Sequence, residues 1–248
     1  MRFECVVRTH VGCKRKVNED ALLARPDLLL WAVADGMGGH DAGAVASALL
    51  VEALGSSVPT SSATTSGIKT PALAARIEAA AAALQGANRK LVAMAAAAGP
   101  SRTIGSTIVL LAADQNAYAC LWAGDSRAYL ARGGALKQLT HDHSLVQQLV
   151  DAGDLTPEAA AQHPNANIIT RAVGAGPELI LDRGDGKIAA GDVFLLASDG
   201  LTRLVDDGEL LAALEEADLE WAADQLIETC LARKAPDNVT FVILKAHA

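Results

Sequence analysis

The chain has 248 residues, a formal net charge of −8 at pH 7 and 51% apolar residues, of which few are aromatic. A chain of this length buries roughly 70–75% of its unfolded surface, and it shows no internal repeat or change of composition, so we expect one domain over residues 1–248. The acidic balance disfavours binding to nucleic acid or to an anionic membrane surface.

The sequence also bears on location. No stretch reaches the roughly 20 consecutive apolar residues that a membrane-spanning helix needs, and the first residues lack the long apolar core of a secretory signal. The cysteines form no Cys-x-x-Cys pair, which predicts reduced and mostly buried thiols rather than disulfides. They are Cys5, Cys13, Cys120 and Cys230. We therefore predict a cytoplasmic protein without a membrane partner.

Short apolar runs separated by Gly and Asp turns predict strands, and longer alanine-rich or amphipathic stretches predict helices. In chain order the pattern predicts strands at 3–8, 21–24 and 28–34, helices at 43–54 and 71–98, strands at 107–112, 117–122, 128–131, 136–139, 179–181 and 193–197, helices at 206–215 and 221–234, and a strand at 238–244. The strands come in hairpin-sized blocks, not in strict alternation with helices. This favours an α+β fold with antiparallel sheets and helices packed outside.

Acidic residues stand at the ends of the apolar runs. Asp35, Asp125 and Asp199 follow predicted strands, whereas Asp20 and Asp237 precede them. If these tips converge, two carboxylates about 4 Å apart repel each other by about 4 kcal/mol at an effective dielectric constant of 20. Divalent cations would offset this repulsion, and hard oxygen ligands suit Mg²⁺ or Mn²⁺. The alternative is that each Asp is an ordinary turn residue, and the residue pattern alone leaves both interpretations open.

A series of motifs in a fixed order is more specific. They are THVGCKRKVNED at 9–20, DGMGGH at 35–40, GST at 105–107, GDSR at 124–127, LTHDHS at 139–144, HPN at 163–165, SDGL at 198–201 and DNVT at 237–240. With this series the chain resembles the metal-dependent Ser/Thr protein phosphatases of the PP2C (PPM) family, in their compact bacterial form. The resemblance extends over nearly the whole chain.

The resemblance implies a four-layer α-β-β-α sandwich with two mostly antiparallel sheets. It implies hydrolysis of phosphoserine and phosphothreonine in proteins by a metal-activated water, at a centre of two Mn²⁺ or Mg²⁺ ions with a third, weaker site. It further implies a flap at about 144–170 that controls substrate access. The expected partners are phosphorylated proteins and a cognate bacterial Ser/Thr kinase, and we expect a monomer.

The resemblance also assigns metal ligands. Asp35 would bridge two ions, and the carbonyl of Gly36 would bind one of them. Asp199 and Asp237 would complete the inner ligands. Asp125, together with Asp199, would form the third site.

The remaining assignments concern catalysis. Asp20 would act mainly through metal-bound waters. Arg15 would bind the substrate phosphate, for which a planar guanidinium is well suited. His40 is a candidate proton donor, and a metal-bound water is the alternative donor.

Other classes of chemistry fit less well. A cysteine-dependent phosphatase needs Arg six residues after the nucleophile, and none of the cysteines has one there. The phosphate-binding motif G-x-x-x-x-G-K-[ST] is absent from the sequence. The remaining rival is a catalytically silent phosphoprotein-binding or scaffold version of the same fold. The presence of all five carboxylates favours an enzyme over that version.

Overall fold

The computed structural model describes residues 1–38, 42–58, 72–99 and 102–248. Its strands are β1 (Arg2–His10), β2 (Asp20–Arg25), β3 (Leu30–Met37), β4 (Gly105–Ser106), β5 (Ile108–Ala113), β6 (Ala117–Ala123), β7 (Arg127–Arg132), β8 (Ala135–Gln138), β9 (Asp182–Lys187), β10 (Val193–Ala197) and β11 (Val239–His247). Its helices are α1 (Ala42–Ser57), α2 (Leu73–Ala98), α3 (Leu145–Asp151), α4 (Pro157–Ala161), α5 (Asp199–Thr202), α6 (Asp207–Leu214) and α7 (Leu219–Ala232).

The strands form two sheets. One has the order β1-β11-β10-β7-β8, and the other has the order β2-β3-β5-β6-β9 with β4 paired to β3. All strand pairs given for the described residues are antiparallel. The predicted α+β class with mostly antiparallel sheets is therefore confirmed.

Three apolar clusters define four layers. Because side chains alternate between the two faces of a strand, Trp31 and Val33 of β3 pack between the sheets, against Phe194 of β10, whereas Leu30 and Ala32 face the helices. The outer face of the β3 sheet packs against α1 and α2, and the outer face of the β10 sheet packs against α5, α6 and α7. The α-β-β-α sandwich is confirmed, and burial on both faces explains why central strands such as β5 and β10 are unbroken apolar runs in the sequence.

The predicted strand at 179–181 was wrong, because the strand there is β9 (Asp182–Lys187). This strand lies at the edge of its sheet, and every second side chain is exposed. Its sequence, DRGDGK, therefore lacks the apolar run on which the prediction depended. The segment from 144 to 170, predicted only as a flap, contains α3 and α4, whose first turns are capped by Ser144 and Thr156.

The predicted helix boundaries were close to those observed. Asp218 caps α7 by accepting a hydrogen bond from the Trp221 amide, and α7 begins at Leu219. The helix predicted from residue 71 is α2, and Pro71 itself lies outside the described residues. Across the described parts of the chain, no helix is both long enough and apolar enough to span a membrane.

Candidate metal centre

Asp20 and Asp35 belong to one sheet. Asp20 is the first residue of β2, Asp35 lies near the end of β3, and the two are partners across the β2–β3 ladder. Cross-strand partners project from the same face, with Cβ atoms about 4.5–5.5 Å apart. The topology therefore brings together two carboxylates that are 15 positions apart in the sequence.

Asp199 and Asp237 come from the other sheet. Asp199 begins α5 just after β10, and Asp237 lies just before β11, which pairs with β10 in the antiparallel sense. The end of one strand is therefore beside the start of the other. The hydroxyl of Ser198 donates a hydrogen bond to Asp20 Oδ2 at 2.9 Å, which ties this end of the second sheet to the first.

These carboxylates are close enough to raise one another's pKa. Burial raises the pKa of Asp35 well above its usual range, and the charges of Asp20, Asp199, Asp125 and Asp237 raise it further. Burial also raises the pKa of Asp20 to about 7, with hydrogen bonds from Thr240 and Ser198 opposing the shift. Such perturbed carboxylates gathered at one place are typical of functional sites.

Asp125 lies in the loop that follows β6 and is only 5% exposed. Burial raises its pKa to about 7, and the charge of Asp199 adds to the shift. Its Oδ1 has no hydrogen-bond partner within the described residues. A buried carboxylate oxygen without a partner is energetically costly, so this oxygen is suited to bind a cation.

The backbone at Gly36 is closely packed. A Cβ atom at this position would lie 2.1 Å from the carbonyl oxygen of Gly43 and 2.6 Å from that of Glu19. Only glycine allows this approach between β3 and the start of α1. The tight packing fixes the peptide next to Asp35.

The donor set suits a hard divalent ion, because it consists of carboxylate oxygens and backbone carbonyls. Among the described residues, however, no three His, Cys, Asp or Glu side chains are arranged to hold an ion as they stand. Three of the carboxylates pair with arginines instead. Arg15 Nη2 lies 2.7 Å from Asp237 Oδ2, and Arg203 Nη2 lies 2.9 Å from Asp199 Oδ2 and 3.4 Å from Asp125 Oδ2. These cations partly offset the repulsion between the carboxylates.

Arg15 is half-exposed and lines a cavity of about 320 Å³ together with Lys14, Arg203 and Asp237. The loop that carries Arg15 is held by the buried Asn238. The Asn238 side chain donates hydrogen bonds to the Val11 and Val17 carbonyls at 2.9 and 3.1 Å. It also accepts one from the Glu19 amide at 2.8 Å.

Two residues of this site were not predicted from the sequence. Arg203 follows Asp199 by four positions, a spacing that places both on one side of a helix, and this signal could have identified it. Asn238 stands inside the DNVT motif, but nothing in the sequence indicates that its amide holds the distant loop at 11–19. His40, the predicted proton donor, lies outside the described residues.

Comparisons with known proteins identify the family of this chain. The family model described as protein phosphatase 2C matches residues 13–234. The Mycobacterium tuberculosis serine/threonine protein phosphatase PstP is 38% identical over 239 residues, which are 95% of this chain and 43% of PstP. The chain therefore spans less than half the length of that relative.

Two solved structures match nearly the whole of this chain, and this chain matches nearly the whole of each. The structure of PppA, described as a key regulatory component of T6SS in Pseudomonas aeruginosa, has a TM-score of 0.88 and 41% identity, covering 99% of this chain and 98% of PppA. The catalytic domain of PstP in complex with 2 manganese ions has a TM-score of 0.84 and 34% identity, covering 99% of both chains. This chain therefore belongs to the protein phosphatase 2C family.

Proposed function

We propose that this chain is a metal-dependent protein phosphatase that hydrolyses phosphoserine and phosphothreonine in other proteins. The observation that carries the proposal is the convergence of buried and partly buried carboxylates with raised pKa values, from both sheets, beside Arg15. The names of its relatives and the manganese in the PstP domain support the same activity.

In this proposal the metal ligands are the carboxylates and one backbone carbonyl. They are Asp35, Gly36, Asp199 and Asp237, with Asp20 acting through water and Asp125 joining Asp199 at a third, weaker site. When bound, two Mn²⁺ or Mg²⁺ ions supply the positive charge that attracts a phosphate dianion and lowers the pKa of a water molecule.

The chain's own groups prepare this site for the ions and the substrate. Ser198 and Thr240 hydrogen-bond to Asp20 and oppose its protonation. Arg15 offers a guanidinium at the edge of a cavity, where it donates to Asp237 through Nη2 and its planar group can donate further N–H hydrogen bonds to phosphate oxygens. The proton donor to the leaving Ser or Thr oxygen stays a prediction, with His40 and a water molecule as the candidates.

The finer predictions about partners and location also stay proposals. We propose phosphorylated proteins as substrates, a cognate Ser/Thr kinase as the opposing enzyme, and a monomer in the cytoplasm. The described cysteines are free thiols, which is consistent with a reducing compartment.

The test is release of phosphate from a phosphothreonine peptide with Mn²⁺, with and without EDTA. We expect turnover that EDTA abolishes, and an Asp199→Asn variant that loses more than about 100-fold in rate, since even groups supporting metal ligands typically contribute 10–100-fold. Asp224→Asn is the matched control, because Asp224 is exposed and pairs with Arg8. A folded protein that binds Mn²⁺ and the peptide but releases no phosphate would be the silent form of the fold.

A further inference from the structure

One side chain joins the carboxylate site to the flap. Arg203 Nη2 lies 2.9 Å from Asp199 Oδ2, 3.4 Å from Asp125 Oδ2 and 3.2 Å from the Ala166 carbonyl oxygen. Its Nη1 donates a hydrogen bond to the side-chain oxygen of Asn167. A single guanidinium therefore binds two carboxylates of the site and two residues of the segment at 144–170.

The same side chain stands between two cavities. The larger, about 580 Å³, lies under the flap helices and is lined by residues that include Asp125, Asp142 and Arg127. The smaller, about 320 Å³, contains Arg15. Both cavities share Asn167, Asp199 and Arg203 in their walls. The Arg203–Asn167 contact is therefore part of the partition between the flap cavity and the cavity that contains Arg15.

The chemistry of Asp125 and Asp199 gives the partition a second role. In the proposed function these two carboxylates hold the third divalent ion, and in this structure Arg203 pairs with both. A guanidinium and a divalent ion carry charges of the same sign, so they repel each other when they share the same pair of carboxylates. Asp125 still has one oxygen without a partner among the described residues, which leaves a position where an ion can first bind.

We propose that Arg203 is a tethered cation that competes with the third divalent ion for Asp125 and Asp199. Binding of that ion displaces Arg203, releases Ala166 and Asn167, and joins the two cavities. This inference rests on the proposed function for the presence of the ions. It adds a mechanism for substrate access. When the third ion is bound, the cavity under the flap helices opens to the substrate residues on either side of the phosphorylated Ser or Thr.

The experiment combines Mn²⁺ titration by calorimetry with hydrogen exchange of the peptide that covers 163–170. For the wild type we expect two tight ions without a change in exchange. A third ion then binds at higher concentration, and exchange of the peptide rises with its occupancy. For Arg203→Gln we expect the weakest ion to bind at least about tenfold more tightly, because it no longer displaces a charge-assisted hydrogen bond, and fast exchange without any metal.

Two further variants separate direct competition from other effects. Asn167→Ala keeps every charge and the contact of Arg203 with the Ala166 carbonyl but removes the side-chain contact with the flap, so we expect faster exchange than in the wild type without metal. Lys14→Gln removes one positive charge from the wall of the smaller cavity without removing a partner of Asp125 or Asp199. If competition is direct, this control changes the affinity of the weakest ion by less than about threefold, as expected for a solvent-screened charge.

The outcomes distinguish the two proposals. Two tight Mn²⁺ ions together with an Arg203→Gln variant whose weakest site is unchanged or weaker would overturn the competition and leave the proposed function intact. The competition would also be overturned, with the proposed function intact, if hydrogen exchange of the wild-type flap did not change when the third site was filled. A wild-type protein that binds no Mn²⁺ at all and shows no turnover would overturn both.

Discussion

Asp20 and Asp35 lie directly opposite each other on neighbouring antiparallel strands, so the fold holds two carboxylates together at a point where both are partly buried. Like charges in this position destabilise a sheet. The fold tolerates the pair because burial raises both pKa values, so protonation or a bound cation relieves the repulsion. Without metal, the stability of the protein should therefore fall as the pH rises, and bound divalent ions should increase it.

The first prediction concerns pH in the absence of metal. The pKa values of Asp20 and Asp125 are raised to about 7 in the folded chain, against an unfolded value of 3.8. The folded state therefore binds more protons between about pH 4 and pH 7, and stability is lost as the pH rises through 7. In EDTA we expect the Tm to increase as the pH is lowered from 8 to 5.5. Each kcal/mol corresponds to about 2–4 °C in a chain of this size.

Calorimetric scans of variants test the assignment to these groups. Asp125→Asn should have a flatter Tm profile than the wild type, because it removes one of the groups with a raised pKa. Asp224→Asn, at an exposed position, should keep the wild-type slope. Saturating Mn²⁺ should reverse the trend, since protons and cations then compete for the same oxygens. A Tm in EDTA that falls steadily from pH 8 to 5.5 would contradict the interpretation.

The second prediction concerns Arg15. Its guanidinium pairs with Asp237 at 2.7 Å but is half-exposed beside a cavity, so its loss should leave the fold intact. For Arg15→Ala we expect kcat/KM for a phosphopeptide to fall about 10- to 100-fold, the equivalent of the 1.5–3 kcal/mol typical of a hydrogen bond to a charged group. Steady-state kinetics measures the effect. Lys16→Ala, one position away and exposed, is the control that should stay close to the wild type.

The third prediction concerns Asn238, which is 4% exposed and makes three hydrogen bonds to the loop at 11–19. Asn238→Asp keeps the acceptor oxygen but removes both donors and adds a negative charge beside Asp237. We expect a loss of about 2–4 kcal/mol in the free energy of unfolding, because the Val11 and Val17 carbonyls lose their hydrogen-bond donor and a charge is placed at a buried position. Urea unfolding measures it. Asn116→Asp, in the exposed β5–β6 turn, should change stability by less than about 0.5 kcal/mol.

Whether a residue or a strand could be predicted from the sequence depends on its position in the fold. Asp35 and Asp199 were recognisable because a strand buried on both faces is an unbroken apolar run, and a carboxylate that ends it stands out. The strand β9 was missed because an edge strand with one exposed face has no such run.

Long-range contacts were the other limit. The hydrogen bonds from Asn238 to residues 11–19 span more than 200 positions, and no local pattern encodes them. The contacts of Arg203 with Ala166 and Asn167 depend likewise on the path of the flap segment. Sequence patterns placed the carboxylates at strand ends, and only the topology determined which cations lie against them.

The fourth prediction concerns Gly36, whose lack of a side chain lets β3 approach the start of α1. In Gly36→Ala the new Cβ would meet the Gly43 carbonyl oxygen at 2.1 Å and that of Glu19 at 2.6 Å, and both are backbone atoms that cannot rotate away. We expect the strand and helix to separate, with a loss of about 2–4 kcal/mol in stability, at the upper end for single substitutions. Gly176→Ala is the matched control, because a Cβ there would have no atom within 4 Å in the described structure. Urea unfolding of both variants decides the matter: equal midpoints would show that β3 and α1 are not packed closely at Gly36.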